Sequence, residues 1–149
     1  MVLFALTGLW SHISNLVLGK LSVVYDQAGK ARIVAIANYW VQLSLRPLHK
    51  SIFNLLRTIE QDGTFNQDKP YQDLLDRCLD GRTFYSFDLS AATDRLPITL
   101  QCDILQLFGV NGSHWRDLLD FPWKWNSINV KYAVGQPMGA YSSWASLAL

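Results

Sequence analysis

Apolar positions along the chain change period several times, and each change predicts an element. Residues 21–26 and 31–37 are rich in Val, Ile and Tyr and flank Gln27, Ala28, Gly29 and Lys30, which reads as a β-hairpin. Over residues 39–60 the apolar side chains of Trp40, Leu43, Leu45, Leu48, Ile52, Phe53, Leu55, Leu56 and Ile59 recur at helical spacing. Pro47 is expected to break or kink that run, so that two helices meet there. Asp62, Gly63, Thr64 and Asn66 mark a loop, Asp68 and Pro70 open a helix expected to reach Leu79, and Asp80 with Gly81 ends it. Residues 83–88 predict a short aromatic strand ending on Asp88, followed by a helix over residues 96–108 that Gly109 terminates. Ser113 can cap a further short helix reaching Leu119, and the segment around Trp123 and Trp125 reads as a loop. Residues 129–134 alternate as a strand, residues 135–139 form a loop, and residues 140–149 are helical.

Helices and strands mixed in this order predict an α+β fold, and 149 residues of 50% hydrophobic composition suffice for one core. No internal repeat or low-complexity linker divides the chain. The helical pattern is still running at Leu149, which reads as an interrupted domain. The first 19 residues hold no Asp, Glu, Lys or Arg, yet Gly8, Ser11, His12, Ser14 and Asn15 interrupt them. The run falls short of the roughly 20 apolar residues a membrane span requires, so a core helix is expected there and no firm membrane span. The segment also lacks the basic start of a secretory signal and the arginines of an imported organelle presequence.

Charge adds little as a total, since 13 Lys and Arg face 12 Asp and Glu, but its distribution is uneven. Residues 20–57 hold Lys20, Lys30, Arg32, Arg46, Lys50 and Arg57 against Asp26 alone, whereas residues 60–103 are acidic. Such halves suit a site where phosphates meet carboxylate-bound cations, and equally two halves that attract each other. Cys78 and Cys102 form no Cys-x-x-Cys pair, and His12, His49 and His114 are scattered; no zinc site is expected, and the cysteines read as buried thiols.

Candidate chemistry centres on Asp88, which closes the aromatic strand, and Asp94, which follows across the small residues Ser90, Ala91 and Ala92. A carboxylate at a buried strand end needs a compensating cation, and a divalent metal is one; by spacing alone the same residues more readily make a supported turn and a helix cap. The whole string Asp88-Leu89-Ser90-Ala91-Ala92-Thr93-Asp94-Arg95 resembles the first palm motif of RNA-dependent RNA polymerases, closest to mitoviruses and their bacteriophage relatives. Gly135-Gln136-Pro137-Met138-Gly139-Ala140-Tyr141-Ser142-Ser143-Trp144 resembles the second palm motif of that group. Gly29-Lys30-Ala31-Arg32-Ile33-Val34-Ala35 resembles its upstream basic fingers motif.

The resemblance implies a partial right-hand polymerase, with residues 1–82 as a fingers-like segment and residues 83–149 as an incomplete palm. It implies that Asp88 is the catalytic, metal-binding carboxylate holding Mg²⁺ against nucleotide phosphates. Asp94 and Ser143 would sit by the incoming ribose, and Lys30 and Arg32 would neutralise the triphosphate. Gly135 and Gly139 would let the template-facing loop bend. The implied partners are RNA, ribonucleoside triphosphates and a missing polymerase half, and the implied place is the mitochondrion. Leu147 stands where many related polymerases carry an asparagine, and the Gly-Asp-Asp tripeptide of the third palm motif does not occur in the sequence. A catalytically incomplete relic is therefore expected, or else an RNA- or polymerase-binding module without activity.

Overall fold

A computed structural model describes residues 17–27 and 29–149 of the chain. The helix expected near the N-terminus falls almost wholly on residues 1–16, outside this range. The expected hairpin forms: β1 (Gly19–Tyr25) pairs antiparallel with β2 (Ala31–Ala37) along its whole length. Its turn closes by Asp26 N–H donating to the Lys30 carbonyl at 2.9 Å and Gly29 N–H to the Asp26 carbonyl at 3.0 Å. Gly29 lies at φ +71°, backbone that glycine adopts without a Cβ penalty.

The Trp-rich segment expected as a loop instead extends the sheet. Strand β3 (Trp123–Trp125) joins β1 at the parallel pair Lys20 and Lys124 and turns at Asn126, φ +52°, into β4 (Ile128–Val130). The sheet order is β2-β1-β3-β4, and β4 is shorter than the strand expected over residues 129–134. What recruits β3 is the fully buried Trp123, stacked on Phe121 at 4.4 Å between ring centroids. Only glycine fits beneath it, since a Cβ on Gly19 would lie 2.4 Å from the indole.

Helix α1 (Tyr39–Leu56) begins where the Asn38 side chain accepts from Val41 N–H at 2.9 Å. It runs unbroken through Pro47, contrary to the expected break. Leu45 lies before Pro47, Ile52 and Leu56 after it, and all three are buried, so core packing holds both halves on one axis. Pro47 itself faces solvent.

Helix α2 (Asp68–Leu79) matches its expected span, with Asn66 accepting from Asp68 N–H, but buries no residue. After it, residues 82–89 form no strand, which corrects the expectation for residues 83–88. An extended segment becomes a strand only by pairing, and no described strand lies beside this one. Phe87 and Tyr85 are consequently 89% and 80% exposed.

The remaining helices are α3 (Ala92–Arg95), α4 (Ile98–Leu107), α5 (Gly112–Asp117) and α6 (Ser143–Ala148). Asn111, not Ser113, caps α5 by accepting from His114 N–H at 3.0 Å. The main core joins Leu45, Ile52 and Leu56 of α1 to Cys102 and Leu105 of α4, Trp115 of α5, and Ala145 of α6. Cys102 is buried there as expected, whereas Cys78 is exposed. The described chain is thus a mixed α+β fold with one small sheet and six helices. None of these helices is long and apolar enough to cross a membrane.

Candidate functional site

The loop over residues 135–142 is where the three sequence motifs meet. Its start rests on α3: Gln136 N–H donates to the Thr93 carbonyl at 2.8 Å, and a Cβ on Gly135 would lie 2.1 Å from that same oxygen. Its middle rests on the basic hairpin, where Ala35 N–H of β2 donates to the Met138 carbonyl at 2.6 Å. Gly139, at φ +114°, passes so close that a Cβ would stand 2.5 Å from the Ala35 carbonyl oxygen. Both glycines named from the sequence are therefore required by close backbone approach, and Gly139 by its dihedral as well.

Helix α1 grips the same loop with side chains that the sequence did not single out. Gln42 Nε2 donates to the Gly139 carbonyl at 3.0 Å while its Oε1 accepts from Tyr141 N–H at 2.7 Å. His49 Nδ1 accepts from Ser142 N–H at 3.3 Å, which requires the neutral ring. Burial holds the His49 pKa below its ordinary value. Ser142, at φ +70°, is fixed further by Trp115 Nε1 donating to its hydroxyl at 2.8 Å.

Behind the loop lies a buried polar knot. Gln136 Nε2 donates to Gln101 Oε1, to the Ser143 carbonyl at 3.0 Å and to Ser146 Oγ at 3.2 Å. The Ser146 hydroxyl lies between Gln101 Oε1 at 3.2 Å and the Ser143 carbonyl at 3.1 Å. Among the described residues, Gln136 Oε1 and Ser143 Oγ are buried without a partner.

The residues expected to carry chemistry are distributed unevenly. Asp88 lies on the exposed, unpaired segment, not at the end of a buried strand. Asp94 is on α3, its backbone against Gly135; one side is desolvated, which raises its carboxyl pKa. Tyr132 is pushed up to about 12, by burial first and then by the Asp94 charge. Ser143 is buried at the start of α6, with its hydroxyl turned away from solvent. Lys30 and Arg32 are exposed at the hairpin tip. There Arg32 Nη2 stands 3.1 Å from Asp26 Oδ2, whose pKa is lowered by the Gln27 N–H and then by Arg32. No hydrogen bond or ion pair among the described residues links Lys30 or Arg32 to Asp88 or Asp94. Nor do those residues gather three or more His, Cys, Asp or Glu that could hold a metal ion. A two-cation centre therefore does not fit the residues described.

The family model for mitovirus RNA-dependent RNA polymerase matches residues 1–149. The chain belongs to this polymerase family. It is 58% identical over 137 residues, 89% of its length, to the RNA-directed RNA polymerase of Cryphonectria parasitica mitovirus 1, and spans 17% of that protein. Two uncharacterized mitochondrial proteins of Arabidopsis thaliana are also similar. One is 36% identical over 62% of this chain and 49% of its own length, the other 37% identical over 64% and 41%. No solved structure matches. The loop over residues 135–142 is where residues 29–35, 88–95 and 135–144 touch.

Proposed function

We propose that the chain is the segment of an RNA-directed RNA polymerase that joins the basic hairpin of the fingers to the first two palm motifs, and that alone it does not catalyse. The observation that carries this reading is the junction at Gly135 and Gly139: one loop lies against Thr93 of the first motif and Ala35 of the third matching stretch. In a right-hand polymerase such a loop would follow the template while α3 presents Asp94 to the ribose and the hairpin tip presents Lys30 and Arg32 to the triphosphate. Residues 1–82 would belong to the fingers and residues 83–149 to the palm. The buried Ser143 hydroxyl would need the start of α6 to shift before it could reach a ribose. Mitochondrial residence is the natural setting, given the mitochondrial relatives in Arabidopsis thaliana.

Catalysis by transfer of a nucleotidyl group requires carboxylates that hold two divalent ions roughly 3.5–4 Å apart. Asp88 is one such carboxylate, and Mg²⁺ would need phosphate oxygens or further carboxylates to stay on it. The Gly-Asp-Asp tripeptide that would supply the partner is not among these 149 residues. Primer extension with the purified 149-residue chain should give no product. Adding a second polypeptide that carries Gly-Asp-Asp and a thumb from a related polymerase should restore extension, and Asp88→Asn should abolish it again. Extension by the 149-residue chain alone would overturn the reading.

A further inference from the structure

The end of the loop over residues 135–142 is held in a conformation that needs outside support. Ser142 lies at φ +70°, left-handed backbone that a residue with a Cβ keeps only when its surroundings fix it. Two other elements do so: His49 Nδ1 of α1 accepts from Ser142 N–H at 3.3 Å, and Trp115 Nε1 of α5 donates to the Ser142 hydroxyl at 2.8 Å. Of these two supports only the histidine titrates. Its ring is half-buried, with the Phe53 centroid 4.1 Å away and that of Tyr141, the residue before Ser142, 4.9 Å away. It opens on a cavity of about 400 Å³ whose titratable and charged lining is Arg46, Lys50 and Arg57 of α1 and the Tyr141 phenol of the loop. No Asp or Glu lines that cavity, and among the described residues none of the three cations makes an ion pair.

A proton on His49 would join a fourth positive charge to three that have no counter-charge. The flanking rings would offset part of that cost, but Nδ1 would then be a donor facing the Ser142 N–H, and the hydrogen bond would become an opposition of two donors. We propose that His49 is a proton-operated latch on the loop over residues 135–142: neutral, it holds Ser142 against α1; protonated, it releases Ser142. The start of α6 follows directly on Ser142 and would be freed with it, including the buried Ser143. The direction follows from linkage. Burial holds the latched His49 below the ordinary value of 6.5, which the ring regains on release. The released form binds the proton more tightly, so acidification below 6.5 shifts the balance toward release, by at most about tenfold per pH unit for one proton, until the pH passes the latched value. Above 6.5 both forms are neutral and the latch stays closed.

The test is hydrogen exchange followed by NMR on the full chain from pH 7.5 to 5, with the His49 ring titrated in the same samples. After correction for the intrinsic pH dependence of exchange, protection of the Ser142 amide and of the Trp115 indole N–H should fall together below pH 6.5, by up to about tenfold per pH unit. Protection in β1 and β3 should hold over the same range. His49→Asn brings an acceptor oxygen close to the place of Nδ1 without a titrating group, and should keep Ser142 protected at every pH. His49→Phe keeps a ring but no acceptor, and Ser142 should lose protection already at pH 7.5. A pH-dependent loss that persists in His49→Asn would overturn the proposal. So would a wild-type ring that titrates while Ser142 and Trp115 keep constant protection, a result that needs no variant to fold. Neither nucleic acid, nucleotide nor metal enters the measurement, so its failure leaves the polymerase reading standing, and failure of trans-complemented primer extension leaves the latch standing.

Discussion

Gly135 lies directly on the carbonyl of Thr93, so near that a single methyl group would stand 2.1 Å from the oxygen. The loop over residues 135–142 is therefore seated on α3 by backbone contact. The same loop is then fixed at Gly139 against Ala35 and at Tyr141 by Gln42.

Gly135→Ala and Gly139→Ala should each destabilise the fold by about 2 kcal/mol or more, because a Cβ must displace backbone, and at Gly139 the dihedral adds strain. Gly29→Ala is the comparison, since its Cβ would meet nothing and only the turn dihedral resists it. Its cost should be about 1 kcal/mol. Thermal or urea melts of the three variants measure the ordering; equal losses at Gly29 and Gly135 would mean that the loop does not press on α3.

Gln42→Leu removes both hydrogen bonds to the loop with little change in volume, and leaves a carbonyl and an N–H without their partner. The expected loss is about 1–3 kcal/mol. Amide hydrogen exchange at Tyr141 should accelerate while exchange in β1 and β2 stays as it was. Unaltered exchange at Tyr141 would show that the Gln42 clamp does not control the loop.

Stability should fall as the pH drops below the ordinary histidine value of 6.5. The folded pKa of His49 is depressed by burial, so the unfolded chain takes up the proton first and is favoured, until the pH passes below the folded pKa. Protonation also removes the acceptor for Ser142 N–H. Asp94 acts with opposite sign: its folded pKa is raised, so its contribution is full below 3.8 and is lost as the pH rises through the folded value. In melts from pH 7.5 to 5 His49→Phe should flatten the slope, with Asp94→Asn as the control for the opposing contribution. A slope that survives the substitution would assign the effect to another group.

Segment 82–89 should behave as a sticky edge, since Tyr85, Phe87 and Leu89 are 80%, 89% and 68% exposed and no strand among the described residues covers them. Phe87→Lys with Tyr85→Thr should raise solubility and change stability by less than about 0.5 kcal/mol, as for exposed sites elsewhere. Light scattering and melting curves test this together. A large loss of stability would mean the aromatics are packed against something the described residues do not contain.

Much of the fold is local and was legible from the chain. Gln27 to Lys30 carries its own turn chemistry, Asn66 sits where a loop gives way to a helix, and Gly81 and Gly109 stop helices at positive φ. The three motifs could be recognised in order because each is a short, nearly contiguous string. Everything that depended on a remote partner was silent. Residues 83–88 have strand composition but no neighbour among the described residues to complete the ladder, so composition overstated them. Pro47 carries a local break signal, and the buried Leu45, Ile52 and Leu56 overrule it. Trp123 reads as loop until Gly19, far away in sequence, makes room for its ring. Gln42 and His49 look like ordinary polar positions on a helix because the groups they hold lie 97 to 99 and 93 residues further on. A side chain's period tells which face it occupies, but only the packed chain brings a distant carbonyl within 3 Å of it.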